Sequence, residues 1–199
     1  MKILLIGATG TIGKAVADEL KEFEVLRVGH SKGEYQVDIE DRNSIKKLFE
    51  TVGCVDAIIS TTGLIAFGPI EELSYEQFET TVKSKILGHI NLFQIGHHYL
   101  NEKGSITFTS GYLAQNPMPG SSAVSLANAA LDAFVKAVAL EMGEKIKINT
   151  VSPRFVKETM ELMNIDSTDG ISAANTAKAY RYALLNEVSG KSLDVADYL

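Results

Sequence analysis

The chain alternates between two patterns of hydrophobic and polar residues. Short continuous apolar runs are typical of strands buried on both faces of a sheet, and apolar residues spaced three or four apart are typical of helices. The short runs predict strands at residues 2–6, 24–28, 34–37, 57–60, 105–109, 147–151 and 192–195. The longer segments predict helices at residues 11–22, 42–51, 75–100, 123–142 and 173–186. This alternation indicates an α/β domain with a parallel sheet, right-handed crossovers and helices on both faces.

Polar residues indicate where several helices begin. Asp41, Ser74 and Ser121 precede predicted helices and are residue types that cap helix N-termini. The longest irregular segment, residues 153–171, is a candidate lid. Ligands of parallel α/β sheets bind beyond the carboxyl ends of the strands, so the residues that follow each strand are the candidates for function.

Three glycines join the first predicted strand to the first predicted helix. Gly7 permits a tight turn, Gly10 lets the backbone approach a phosphate, and Gly13 lets the helix pack closely on the strand. Free N–H groups at the helix N-terminus would then face an anion. An ordinary turn is the alternative, but the strand–turn–helix context favours a nucleotide site. The predicted contacts of this site are Gly7, Thr9, Gly10, Thr11, Ile12 and Gly13.

The end of the second strand bears on the choice of dinucleotide. An acidic residue there would bind the ribose 2′-hydroxyl of NAD. Residues 28–33 contain no Asp or Glu, and His30, Ser31 and Lys32 offer donors and positive charge that suit a 2′-phosphate. We therefore expect NADP(H) rather than NAD(H), with an exposed polar turn as the alternative.

Two further strand ends complete the predicted cofactor pocket. Asp38 and Ile39 follow the third strand and could border the adenine, although Asp38 could equally be a turn residue. Small residues after the fourth strand would let the backbone pass close to the cofactor. These are Ser60, Thr61, Thr62 and Gly63.

Composition narrows the class of protein. The 199 residues are 45% hydrophobic and 22% charged, which is typical of a soluble globular protein, and we expect one domain over residues 1–199. The net charge of −6, without a basic block, argues against a nucleic-acid partner. No apolar run reaches the roughly 18 residues that span a bilayer, so we expect no membrane partner. A single cysteine, Cys54, and no signal peptide indicate the cytoplasm.

With these residues in place, the chain resembles the short-chain dehydrogenase/reductase family over nearly its full length. The segments that carry the resemblance are 7–13 (GATGTIG), 60–63 (STTG), 104–110 (GSITFTS), 129–142 (AALDAFVKAVALEM), 148–153 (INTVSP) and 190–195 (GKSLDV). The resemblance implies a Rossmann sheet of seven strands in the order 3-2-1-4-5-6-7. It also implies that Ser110 is the active-site serine and that Pro153 lies on the nicotinamide side.

The chain departs from the family in its catalytic residues. Typical members have a Tyr-x-x-x-Lys pair at the start of the long helix, where the tyrosine transfers a proton and the lysine holds the nicotinamide ribose. These positions fall on Val124 and Asn128, and no shift of one residue restores the pair. Asn128 could hydrogen-bond a ribose but carries no charge. The family's helix asparagine falls on Lys85, and Arg154 follows Pro153 where glycine is usual.

Nearby residues could replace the missing pair. Tyr112 lies two positions after Ser110 and could supply a phenol, and Lys85 could restore the positive charge. Alternatively, Tyr112 is loop packing and Lys85 is a solvated helix residue or a ribose ligand. His89 shares a predicted helix with two other histidines, without cysteines or paired carboxylates at metal spacing. We therefore expect no metal site, and we expect these histidines at the helix surface or a subunit contact.

Three functions are compatible with the sequence. The first is an oxidoreductase acting on a small carbonyl or alcohol, and the second is a non-catalytic dinucleotide-binding sensor or partner-binding protein. The third, a different nucleotide-dependent enzyme, has no specific support. The helix at 123–142 is apolar on more than one face, so we expect a homodimer or homotetramer through helices 75–100 and 123–142, the alternative being a buried helix.

Overall fold

The computed structural model describes residues 1–199 and contains a seven-stranded sheet. Its strands are β1 (Lys2–Ile6), β2 (Glu24–Gly29), β3 (Tyr35–Gln36), β4 (Val55–Ser60), β5 (Leu100–Thr109), β6 (Lys147–Ser152) and β7 (Ser192–Asp194). The strands pair in the order β3-β2-β1-β4-β5-β6-β7, and every pair is parallel. The expected strand order is confirmed.

Seven α-helices connect the strands. They are α1 (Thr11–Glu19), α2 (Arg42–Val52), α3 (Tyr75–Thr81), α4 (Gly88–Gly96), α5 (Ser122–Met142), α6 (Lys157–Leu162) and α7 (Ala173–Leu185). Asp41 caps α2 by accepting from the Asn43 amide, and Ser74 forms a capping box with Gln77 on α3. Ser121 occupies the N-cap position of α5, but its hydroxyl donates to the Met118 carbonyl instead of capping the helix.

The sheet separates two hydrophobic cores because successive side chains of a strand point to opposite faces. On one face, Leu4 and Ile6 of β1 pack in the core that includes Phe49 of α2 and Leu131 of α5. On the other face, the core formed with α1 and α7 contains Ile3, Leu5, Val16, Tyr180 and Leu184. Burial on both faces explains the continuous apolar runs in the sequence.

The prediction of a single helix over residues 75–100 is wrong in two places. A π-helical turn, Val82–Leu87, separates α3 from α4. The helix then ends at Gly96, a 3₁₀ turn covers His97–Tyr99, and Leu100 already belongs to β5. The last residue of α4 is a glycine because the helix packs closely on the sheet there: a Cβ on Gly96 would lie 2.9 Å from Ile58 Cδ1. π-Turns inside helices are frequent at functional sites, which makes Val82–Leu87 a segment of interest.

One segment, Ser122–Lys145, is long and apolar enough to cross a membrane by length and composition. It includes α5, whose buried residues Leu131 and Val135 pack in the core beneath the sheet. A core helix of a soluble protein passes the same length and composition test.

Candidate active site

The glycine turn between β1 and α1 leaves room for a ligand. Gly7 has a φ of +86°, which favours glycine, and a Cβ on Gly13 would lie only 2.0 Å from the Gly7 carbonyl oxygen. Gly10 is different: its φ is −81°, and a Cβ there would meet only the Gly7 oxygen, at 3.4 Å. Gly7 and Gly13 are therefore required by the fold, whereas the space above Gly10 is open.

Residues around the turn hold its shape. Thr61 Oγ1 donates to the backbone carbonyls of Ile6 and Gly7, at 3.3 and 3.2 Å. Thr9 is exposed, and Thr11 and Ile12 are half-buried at the start of α1. The polar side chains near the turn therefore come from both the end of β4 and the start of α1.

A cavity of about 410 Å³ lies beside this turn, where β1, β2, β3 and β4 end. Its volume is within the range of small-molecule and cofactor sites. The residues that line it are Ile6, Gly29, His30, Val37, Asp38, Ile39, Glu40, Thr62, Gly63, Leu64 and Ser84. Asp38 has a turn role as well, because its Oδ1 accepts from the Glu40 amide. Ser31 and Lys32 are exposed next to His30 but do not line the cavity.

Lys85 and Ser110 lie together next to Gly63, which lines this cavity, although neither of them lines it. Lys85, in the π-turn, is only 6% exposed, and its Nζ donates to the backbone oxygen of Ser110 at 3.4 Å. Its side chain packs against Gly63, where a Cβ would be 2.5 Å from Lys85 Cδ. The lysine therefore runs from a wall of the cavity to the end of β5. Burial lowers the pKa of Lys85 to about 8, and the charge of Asp132 opposes this decrease.

His89 is fully buried next to Lys85, so the expectation that it lies at the helix surface or at a subunit contact is wrong. Its Nδ1 lies 2.6 Å from the Lys85 carbonyl oxygen, and its Nε2 lies 3.0 Å from Ser60 Oγ. A carbonyl only accepts, so Nδ1 donates to Lys85 and Nε2 accepts from Ser60. Burial and the charge of Lys85 lower the pKa of His89 to about 3, which keeps the ring neutral at pH 7. His89 thus joins the π-turn to the end of β4.

The family's tyrosine and lysine positions are both buried. Val124 and Asn128 are each 3% exposed on α5. Asn128 packs against Gly111, where a Cβ would be 2.6 Å from its Nδ2, and its Oδ1 has no hydrogen-bond partner. An unpartnered buried oxygen is uncommon in folded proteins and indicates a place where a ligand or water could bind. Asn128 is therefore a polar, unsatisfied group that packs against Gly111, the residue that follows Ser110.

Tyr112 is not brought together with Lys85 and Ser110. The chain is extended at Gly111 and enters a 3₁₀ turn at Tyr112–Ala114. The Tyr112 ring packs under the Arg154 guanidinium, whose Cζ is 4.6 Å from the ring centroid. Arg154 also forms an ion pair with Asp194 on β7, and Pro153 accepts a hydrogen bond from the Tyr112 amide. Tyr112 lines a separate cavity of about 460 Å³, with Lys136, Ser152, Lys191 and Asp194 among its other lining residues.

The candidate lid, residues 153–171, contains regular secondary structure. It contains α6, and its two ends pair through a β-bridge between Val156 and Ile171. Glu158 Oε2 accepts from the Ala173 amide at 2.8 Å, which attaches α6 to the start of α7. The segment is a folded loop whose two ends lie side by side.

Comparisons with known proteins agree with this architecture. The family model described as enoyl-(acyl carrier protein) reductase matches residues 7–193. The crystal structure of the protein lin1944 from Listeria innocua is 41% identical, with a TM-score of 0.92 and coverage of 98% of this chain and 99% of that chain. A small-chain dehydrogenase crystallised with NADPH is 26% identical, with a TM-score of 0.84 and coverage of 98% and 95%.

Curated relatives are longer than this chain. Versicolorin reductase stcU of Emericella nidulans is 28% identical over 153 residues, which cover 74% of this chain and 56% of that protein. This chain spans about half of the length of the curated relatives that it matches.

Proposed function

Because the chain belongs to the short-chain dehydrogenase/reductase family, we propose that it is an NADP(H)-dependent oxidoreductase that interconverts a small carbonyl compound and its alcohol. The observation that carries the proposal is the open glycine turn beside the 410 Å³ cavity. Gly63, which lines this cavity, packs against Lys85, and Lys85 in turn contacts Ser110. A cytoplasmic location is part of the proposal.

The residues present fit a dinucleotide. Gly10 leaves space for phosphates, and the unpartnered Asn128 Oδ1 offers an acceptor for a sugar hydroxyl. We assign the pyrophosphate to residues 7–13, the 2′-phosphate to His30, Ser31 and Lys32, the adenine to Asp38 and Ile39, and the nicotinamide half to Ser60, Thr61, Thr62, Gly63, Asn128 and Pro153. When bound, NADPH supplies the hydride for the reaction.

Two residues of the chain act on the substrate oxygen in this proposal. The Ser110 hydroxyl makes only a long hydrogen bond, 3.4 Å to the Val151 carbonyl, and is free to donate to a substrate. Lys85 supplies positive charge beside it, where negative charge develops on the oxygen. Tyr112 has no part in this arrangement because its ring lies under Arg154.

Gly10→Ala tests the cofactor site without disturbing the fold. A methyl group there makes an ordinary contact with the Gly7 oxygen but occupies the space above the turn. We expect NADPH affinity, measured by the fluorescence of the bound nicotinamide, to fall at least about tenfold, with an unchanged melting temperature. Equal affinity of Gly10→Ala and wild type would contradict the assignment of the pyrophosphate.

Lys32→Glu tests the preference for NADP(H). Loss of a charge-assisted hydrogen bond to phosphate should weaken NADPH binding about tenfold, while NADH binding changes little. Lys145→Glu is the matched control, because it makes the same charge change before β6, at the opposite end of the strands. A panel of aldehydes and ketones, followed by the loss of nicotinamide absorbance, then tests turnover.

A non-catalytic dinucleotide-binding protein is the second candidate. The observation that favours it is the buried Val124 at the family's tyrosine position, which cannot exchange a proton. This function predicts NADPH binding without turnover of any carbonyl in the panel. Failure to bind either dinucleotide would overturn both candidates.

Assembly through residues 75–100 and 123–142 is also part of the proposal. Leu87, between α3 and α4, and Leu126 and Leu140, on α5, are 47%, 49% and 86% exposed. Exposed leucines on these helices are suited to a contact between copies of the chain. A homodimer or homotetramer should appear in sedimentation at micromolar concentration, and a purely monomeric species would contradict this assembly.

A further inference from the structure

The site lacks the usual proton donor of its family, and the structure limits what can replace it. Val124 and Asn128 have no acidic proton to give at neutral pH. His89 is neutral, and both of its ring nitrogens are hydrogen-bonded. Tyr112 lies under Arg154, outside the group formed by Lys85 and Ser110.

Another buried phenol, Tyr180, is also unsuitable. It belongs to α7 on the opposite face of the sheet, and its hydroxyl donates to Thr109 Oγ1 at 2.6 Å, because Thr109 itself donates to the Ser60 carbonyl. Burial raises the pKa of Tyr180, which makes proton release less favourable. Tyr180 therefore does not supply the proton.

Ser110 can donate a hydrogen bond, but its hydroxyl does not release a proton near neutral pH, so Lys85 is the remaining group with a transferable proton. Its Nζ makes one long hydrogen bond to Ser110 and no ion pair, so the other N–H groups are not committed to protein partners. Its stem packs against Gly63, which also lines the cavity. We infer that the Lys85 ammonium group is the proton donor for the carbonyl oxygen of the substrate, an inference that rests on the proposed function.

The electrostatic surroundings suit this role. Two titratable groups face Lys85: His89, one helical turn along α4, and Asp132, from α5. His89 is neutral, and Asp132 accepts hydrogen bonds from Thr150 and Ser192 rather than from Lys85. Burial therefore dominates and lowers the pKa of Lys85 to about 8. A general acid is most effective when its pKa lies near the pH at which the enzyme works, and a pKa of about 8 is close to neutral pH.

His89 acts as a positioning residue for this donor. Its hydrogen bond to the Lys85 carbonyl holds the π-turn, and its bond from Ser60 holds the same turn to the end of β4. Ser84 adds a second link, since its hydroxyl accepts from the Leu64 amide. The lysine backbone is thereby fixed relative to the strand ends.

The proton transfer balances within the proposed reduction. The carbonyl carbon is reduced by the dinucleotide, an N–H bond of Lys85 breaks, and an O–H bond forms on the substrate oxygen. The electron pair of the broken bond stays on Nζ, which becomes a neutral amine. Solvent returns the proton, and alcohol oxidation runs the same transfer in reverse.

Lys85→Arg and Lys85→Met separate proton donation from charge. Arginine keeps the positive charge but does not release its proton near neutral pH, whereas methionine removes both. We expect both variants to lose about 10²–10⁴-fold in kcat for carbonyl reduction while still binding NADPH. Wild-type kcat should fall as pH rises through about 8, because the ammonium form is the donor.

A measurement without cofactor or substrate accompanies the kinetics. In protein carrying ¹³C at the lysine ε carbon, the resonance absent from Lys85→Met belongs to Lys85. We expect its titration midpoint near pH 8, and a midpoint above pH 10 would overturn the inference. Carbonyl reduction by Lys85→Arg at the wild-type rate would overturn the role of Lys85 as proton donor but would leave the proposed oxidoreductase function standing. A wild type that binds NADPH but reduces no carbonyl overturns both.

Discussion

Replacing Lys85 with methionine should change how the stability of the protein depends on pH. The pKa of Lys85 falls from 10.5 to about 8 on folding because the ammonium loses water. Below pH 8 the folded protein carries this buried charge at its full cost. Between pH 8 and 10.5 the unfolded chain holds more protons than the folded protein, so the free energy of unfolding rises with pH. Each pKa unit corresponds to about 1.4 kcal/mol, so the wild type should gain about 2 kcal/mol between pH 7 and 9.5 that Lys85→Met does not gain.

Urea unfolding at a series of pH values measures this difference. The chain has no tryptophan, so far-ultraviolet circular dichroism is the suitable probe. Lys83→Met is the matched control, since it removes the same charge from an exposed side chain in the same turn. A constant stability difference between wild type and Lys85→Met across pH 7–9.5 would refute the account of a buried, destabilised ammonium.

Three further predictions concern stability and cofactor binding. Gly13→Ala should lower the free energy of unfolding by about 1–3 kcal/mol and abolish NADPH binding, because its Cβ would lie 2.0 Å from the Gly7 oxygen; a wild-type melting temperature would contradict this. Asn128→Leu should raise the free energy of unfolding by about 1 kcal/mol by removing an unpartnered buried oxygen, yet weaken NADPH binding, and a loss of stability in urea would refute it. Tyr180→Phe should lower the free energy of unfolding by about 1 kcal/mol, since the hydrogen bond to Thr109 is lost. An unchanged free energy of unfolding in urea would show that this bond is energetically neutral.

The sheet could be predicted because its signals are local. Burial on both faces leaves a continuous apolar run in each central strand, and the turn at Gly7 and Gly13 needs glycine for steric reasons visible in the spacing. The interruption of the helix at Val82–Leu87 has no such signal, because a π-turn adds one residue within the same mixture of apolar and polar positions. Helix periodicity alone therefore predicted one continuous helix.

The candidate site was less predictable because its partners are distant in sequence. The contact between Lys85 and Ser110 spans 25 residues and depends on how the π-turn before α4 packs beside the end of β5. The prediction that His89 lies at the helix surface or at a subunit contact is wrong, although its spacing of four from Lys85 places both residues on one helix face. Tyr112 follows Ser110 by two residues, but the strand has already ended, so strand alternation does not place the two side chains on one face.

The bridge between Val156 and Ile171 closes the segment between them into a loop, which a hydrogen bond from the Ala173 amide to Glu158 also attaches to α7. Because the bridge already brings the two ends together, a longer or shorter connection adds little closure entropy and leaves the sheet in register. Loops of different length and composition can therefore be exchanged between homologous chains without redesigning the glycine turn or the buried lysine, provided that an acceptor for the Ala173 amide is kept at the position of Glu158. The domain is thus a suitable scaffold for loop grafting, with Val156 and Ile171 as the junctions.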